Sequence, residues 1–141
     1  MFSRVPKYTQ SLVKEISLPY KYYMTDIGMR NAVLMPQSID EGKVLENIAF
    51  NRIASTLGGG GREDDRVFFY NEDTECDFVI VRSGRVDELL QVCWLLDKDN
   101  YKREFDGLVE ASAATRCNNC SVISFEQEGY LTRATAQIDT L

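Results

Sequence analysis

The chain has no histidine among its 141 residues, only three prolines and a single tryptophan. The missing histidine excludes hydrolase chemistry built on an imidazole base and removes the commonest zinc ligand. No apolar run approaches the ~20 residues that a membrane helix requires. The opening Met1-Phe2-Ser3-Arg4-Val5-Pro6 lacks the apolar stretch of a signal peptide. A cytoplasmic protein without a membrane partner is expected. The glycine run from Gly58 to Gly61 lacks the Lys and Ser/Thr of a Walker motif, so it reads as a flexible turn and ATP hydrolysis by this chain is excluded. Cysteine is sparse as well. Cys76, Cys93, Cys117 and Cys120 are expected to be free thiols. Cys117 and Cys120 alone have C-x-x-C spacing, and a four-ligand zinc site lacks its second pair.

What is present describes an ordinary globule, with 44% hydrophobic and 27% charged residues. A chain of this length buries roughly two-thirds of its unfolded surface, enough for a core without staples. One domain is expected over 1–141, with an N-terminal strand and helix extension at 1–34 and a core at 38–138. The charge is uneven. Residues 1–34 carry Arg4, Lys7, Lys14, Lys21 and Arg30 against Glu15 and Asp26, an excess of three positive charges. With −6 overall, the remainder carries −9. Duplex binding relies on a basic stripe, and only the N-terminal segment could offer one. Nucleic acid is a conceivable partner that the acidic balance does not support.

Residues 1–20 show no clear pattern. Lys21–Met24 reads as a short aromatic strand, and Thr25-Asp26 can cap a helix from Ile27 to about Leu34. Met35-Pro36-Gln37 breaks the chain. Ser38-Ile39-Asp40-Glu41 has capping-box spacing, ahead of a helix over 41–57 with Val44, Leu45, Ile48, Ala49, Ile53 and Leu57 on one stripe. Three strands follow at Val67–Tyr70, Cys76–Val81 and Glu88–Leu95, divided by Asn71-Glu72-Asp73 and Ser83-Gly84 turns. The last two are almost continuously apolar, as in a strand covered on both faces. Asp97 or Asp99 can cap a helix over 99–116 bearing Tyr101, Phe105, Leu108 and Val109. Two more strands, Ser121–Phe125 and Tyr130–Ile138, flank a turn at Glu126–Gly129.

The expected class is α/β. Helix, three-strand meander, helix and strand is the core order of the restriction-endonuclease-like PD-(D/E)XK superfamily, a mixed sheet flanked by helices. Asp77 falls on the second meander strand, Gln91 and Cys93 on the third, and Glu46 in the preceding helix. Period-two alternation places Asp77 with Glu75 and Val79, opposite Cys76 and Phe78, and places Gln91 with Cys93. A polar pair inside apolar strands demands partners. One explanation is an oxygen-ligand site for Mg²⁺ or Mn²⁺ that activates water on a phosphodiester. The other is that Asp77 and Gln91 hydrogen-bond to turn backbone or to the helix of Glu46.

Several segments sharpen the choice. Lys21-Tyr22-Tyr23-Met24-Thr25-Asp26-Ile27-Gly28-Met29-Arg30-Asn31-Ala32 resembles the KxYxxDxGLRNA segment of a large family of bacterial and archaeal AAA-type ATPases. Gly42-Lys43-Val44-Leu45-Glu46-Asn47 resembles its GxxLEN helix start. Glu75-Cys76-Asp77-Phe78-Val79-Ile80, Gln91-Val92-Cys93-Trp94 and Lys102-Arg103-Glu104 with Gly107-Leu108 resemble further segments in the same order. The resemblance, over about residues 4–125, is to the C-terminal domain of those ATPases, regarded as nuclease-like in fold. It implies a site of Glu46, Asp77 and Gln91 as catalytic and metal-holding residues, with Cys93 where an active nuclease carries lysine. A neutral thiol supplies no fixed positive charge, and Gln in place of Glu removes an anionic ligand. Lys98 or Lys102 is the candidate for a displaced lysine. The favoured function is a non-catalytic or degenerate nuclease-fold module, an interaction or nucleic-acid-sensing domain. The alternatives are a weak Mg-dependent nuclease and a structural dimerisation domain. The family commonly continues into one more strand, and its loss would leave an exposed sheet edge through which the chain could form a homo-oligomer.

Overall fold

The structure is a computed structural model describing residues 1–10, 18–33, 40–58, 63–125, 129–132 and 135–140. Along these residues run β1 (Phe2–Pro6), β2 (Tyr20–Met24), α1 (Ile27–Val33), α2 (Glu41–Gly58), β3 (Arg66–Asn71), β4 (Glu75–Arg82) and β5 (Arg85–Val92). Then follow α3 (Tyr101–Thr115), β6 (Cys120–Ile123), β7 (Gly129–Thr132) and β8 (Thr135–Thr140). The molecule is mixed α/β. Its main sheet has the order β3-β4-β5-β6, antiparallel except for β6, which runs parallel to β5.

The meander forms for the reasons the sequence offers. Ser83 and Gly84 adopt φ of 52° and 75°, the left-handed pair that closes a two-residue hairpin between Arg82 and Arg85. The longer β3–β4 turn is held by Glu110 of α3, whose carboxylate accepts from the amides of Asp73 (3.1 Å) and Thr74 (2.8 Å), from the Thr74 hydroxyl and from the Tyr70 hydroxyl (2.9 Å). β4 is apolar on both faces because both are covered. Phe78 and Ile80 pack with Phe50 and Ile53 of α2 and with Val5 and Tyr23 of the β1–β2 hairpin. Cys76, Val79 and Leu89 pack with Leu108, Ala111 and Cys117 on the α3 side.

Simple alternation fails at one place. Phe68 pairs with Val79 and Tyr70 with Cys76, so β4 carries one extra residue in a bulge at Asp77 and Phe78. Cys76 and Phe78, expected on one face, therefore lie in opposite clusters. Bulges re-aim side chains in this way, and they are common beside functional sites.

Other expectations are corrected in detail. β1 was not anticipated, since Val5 is its one buried side chain and its strand character comes from pairing with β2. β5 ends at Val92, which leaves Cys93 just beyond it, its amide donating to the Ile123 carbonyl at 3.0 Å. On α2 the buried face is Asn47, Ala49, Phe50 and Ile53, while Ile48 is exposed. α3 starts later than expected. Neither Asp97 nor Asp99 caps it; Asn100 holds the cap position, and Asp97 closes a turn by accepting from the amides of Asp99 and Asn100. Its buried face is Glu104, Gly107, Leu108, Ala111 and Ser112, rotated from the expected aromatic stripe. The stretch read as one strand over Tyr130–Ile138 is an antiparallel hairpin, β7–β8. Arg133 and Ala134 carry none of the Gly, Pro, Asn or Asp signals of a turn. The break at Met35–Gln37, Ser38 and Ile39 of the capping box, Gly59–Gly61 and the Glu126–Glu128 part of the last turn lie outside the described residues. Asp26 caps α1 as expected, accepting from the Met29 amide (3.0 Å), whereas the cap of α2 is Asp40 and not the first residue of the capping box, its carboxylate accepting from the Lys43 amide (3.1 Å).

Candidate functional site

Three elements converge where the bulge turns Asp77. β2 brings Lys21 and Tyr23, α2 brings Glu46 and Asn47, and β4 brings Glu75 and Asp77. The Lys21 ammonium donates to Glu75 Oε1 (2.6 Å), Glu46 Oε1 (3.0 Å) and Asp77 Oδ1 (3.2 Å). Glu46 Oε1 also accepts from the Tyr23 hydroxyl at 2.5 Å. The Tyr23 ring stacks on Phe50, with centroids 4.5 Å apart, and tilts against Phe78. Asn47 clasps the end of β2, its side chain accepting from the Met24 amide (3.0 Å) and donating to the Met24 carbonyl (2.7 Å). The Leu45-Glu46-Asn47 triplet thus has a local purpose at every position: core, ion cluster and backbone clasp.

A second set of bonds leads from Asp77 to α3. Asp77 Oδ2 accepts from the Val92 amide (2.9 Å), and the Asp77 amide donates to Gln91 Oε1 (3.1 Å). Gln91 Nε2 donates to Glu104 Oε2 (2.6 Å), and the exposed Arg103 covers Glu104 Oε1 at 2.6 Å. Gly107 lets α3 approach this strand. A Cβ there would stand 2.0 Å from the Glu75 carbonyl oxygen. The groups line a cleft of about 500 Å³ with Asp77, Gln91 and Glu104 at its buried floor and Lys43 and Arg103 exposed beside it.

The electrostatics follow from three carboxylates sharing one ammonium. Burial works against the Lys21 charge, yet Asp77 and Glu46 outweigh it and hold the ammonium well above its ordinary pKa. Burial, and then the charge of Glu46, push the Asp77 carboxyl from its usual 3.8 up to about 7, against the pull of Lys21. The Tyr23 phenol is raised by burial and by Glu46. Cys93 is raised to about 11 by burial and by Glu104, so it is a neutral thiol at physiological pH and brings no charge.

The structure therefore unites two of the four residues singled out from the sequence, Glu46 and Asp77, around Lys21. The Gln91 side chain accepts from the Asp77 backbone amide and otherwise donates to Glu104. Cys93 stands near Glu104. Lys98 and Lys102 are exposed, and neither joins the cluster. The cation beside Asp77 is neither of the downstream lysines but Lys21, the first residue of the Lys-x-Tyr segment. Tyr23, Glu75, Asn47 and Glu104 were also missed as site residues, although each sits in a segment that carries the resemblance. No group of three or more His, Cys, Asp or Glu among the described residues is placed to hold a metal ion, and the Lys21 ammonium lies among Glu46, Glu75 and Asp77. A resident divalent ion does not fit this arrangement.

Other features are quieter. Lys7 pairs with Glu72 at 2.9 Å and Arg4 lies 4.6 Å over the Tyr20 ring, so much of the N-terminal basic excess is engaged internally. Trp94 is half-buried and stacks on Phe125 at 4.2 Å. No helix among the described residues is long and apolar enough to cross a membrane.

Over 113 residues the chain is 31% identical to an uncharacterized protein of Methanocaldococcus jannaschii. The match takes in 78% of this chain and 24% of that relative, so the chain spans about a quarter of the length of the curated protein it matches. No family model matches the chain, and no solved structure matches it.

Proposed function

We propose that this chain is a degenerate nuclease-like module of restriction-endonuclease-like fold, derived from the C-terminal part of an AAA-type ATPase, and that it works in the cytoplasm by interaction with a partner and not by cutting. The observation that carries this is the Lys21 ammonium between Glu46, Glu75 and Asp77. A hydrolytic site of this class needs its carboxylates free for a hard cation and its lysine free for water or phosphate. Here each satisfies the other. Among the described residues no buried side-chain nitrogen or oxygen lacks a partner, which is the economy of a structural network. The mixed sheet with helices on both faces supports the fold, and a relative about three times as long supports a module that occurs within larger chains.

A second reading has one observation in its favour. Lys21 supplies beside Asp77 the positive charge that Cys93 lacks, as a weak Mg-dependent nuclease using Glu46, Asp77 and Gln91 would need. Incubation with single- and double-stranded DNA in Mg²⁺ or Mn²⁺ separates the two. The interaction module leaves both substrates intact; cleavage that Asp77→Asn abolishes would install the nuclease instead.

A further inference from the structure

We infer that α3 is a brace on β4, with Glu110 as the positioning residue that holds Glu75 and Asp77 where Lys21 can reach them, so that α3 and the β1–β2 hairpin are coupled through the strand between them. This goes beyond the interaction reading and does not depend on it.

The two outer elements cover opposite faces of the sheet, and both grip the start of β4. From the hairpin, the Lys21 ammonium reaches Glu75 at 2.6 Å and Asp77 at 3.2 Å. From α3, Glu104, Gly107 and Glu110 hold the same segment, at a spacing of three that keeps them on one side of the helix. Glu110 accepts from the amides of Asp73 (3.1 Å) and Thr74 (2.8 Å), immediately ahead of Glu75. Gly107 stands so close to the Glu75 carbonyl that a Cβ would lie 2.0 Å from its oxygen. Glu104 accepts from Gln91 at 2.6 Å, and Gln91 accepts from the Asp77 amide at 3.1 Å. The bulge makes this grip consequential. It leaves one residue of β4 without a ladder partner, so side chains set the position of Asp77 to a degree that a regular strand would not require. Glu110 fixes the turn that leads into the bulge, gathering the Tyr70 and Thr74 hydroxyls as well as the two amides. Loss of its carboxylate frees that turn, lets Glu75 and Asp77 drift from the ammonium, and opens Lys21 to reagents in solution.

The test is the rate at which an amine-acetylating reagent labels each lysine, read by peptide mass spectrometry. It compares the native chain, Glu110→Ala, Glu110→Gln and a core-destabilised reference, Ile53→Val, with circular dichroism to establish that each is folded. The Lys21 side chain is ion-paired and about one-fifth exposed, whereas Lys43, Lys98 and Lys102 are exposed and serve as internal standards. Relative to these, Glu110→Ala is expected to label Lys21 about fivefold faster, the scale of coupling between linked contacts. Glu110→Gln, which keeps one acceptor oxygen, should show a smaller rise, and Ile53→Val none. An unchanged Lys21 rate in Glu110→Ala overturns the inference. An equal rise in Ile53→Val overturns it too, by assigning the labelling to general unfolding. Should Glu110→Ala not fold, Glu110→Gln decides: a faster Lys21 rate supports the brace and an unchanged one contradicts it. DNA cleavage plays no part in these outcomes, so the non-catalytic reading stands or falls separately.

Discussion

Gln91 illustrates how a single atom type decides what this site can be. Its oxygen accepts from the Asp77 amide and its nitrogen donates to Glu104 at 2.6 Å, a division of labour that only an amide provides. Gln91→Glu would restore an anionic ligand on paper and would set two carboxylates face to face in the protein. Like charges at that distance cannot both ionise freely. The variant should lose about 2–4 kcal/mol of stability at pH 7 and recover part of it near pH 5, measured by urea unfolding at both pH values. Unchanged stability at pH 7 would show that Gln91 and Glu104 are not in contact.

Asp77 gives the native chain its own pH signature. Its carboxyl, facing Lys21 of β2, Glu46 and Tyr23 across the cluster and Glu75 on its own strand, is raised from 3.8 to about 7. The folded state thus keeps a proton that the unfolded chain has released. The stability that this proton provides is complete below about pH 4 and is lost as the pH rises toward 7. Asp77→Asn should flatten the dependence of the unfolding midpoint on pH between 4 and 7, where the native slope has a ceiling of about 1.4 kcal/mol per unit for one proton. A slope that survives the substitution would assign the proton elsewhere.

At the scale of elements, the cluster depends on how closely α2, α3 and the hairpin approach β4. Gly107→Ala should destabilise the chain by about 1–3 kcal/mol, because overpacking against the Glu75 carbonyl outweighs the helix propensity alanine gains. Asn47→Ala should cost a similar amount by stranding the Met24 amide and carbonyl, although Asn51 also donates to that carbonyl at 3.1 Å. Chemical denaturation reads both, and a neutral Gly107→Ala would mean that α3 sits farther from β4. The elements themselves were largely legible, since apolar runs and turn residues mark β3, β4 and β5 directly. Hidden were the features set by tertiary contact. The bulge at Asp77 leaves no mark on composition. The buried face of α3 contains Glu104, Gly107 and Ser112, residues that a hydrophobic stripe overlooks. β1 exists through its partner.

For the whole molecule, the sequence brought out Glu46 and Asp77 and missed the cation between them. A lysine that lies 25 residues before one carboxylate and 56 before the other is joined to them by the fold alone. The sheet has unequal edges. The β3 side is met by the Lys7 bridge and the Tyr8 amide, 2.7 Å from the Phe69 carbonyl. Among the described residues β6 pairs with β5 alone. An open edge pairs with another chain, so sedimentation velocity should show concentration-dependent self-association, and a monomer at every concentration would contradict this use of the edge.

The central claim is that the cluster is chemically closed, and a DNA-cleavage assay of the native chain in Mg²⁺ and Mn²⁺, with Asp77→Asn alongside, tests it most directly. Intact substrate in every lane is the predicted result. Metal-dependent cleavage by the native chain, absent from Asp77→Asn, would contradict it.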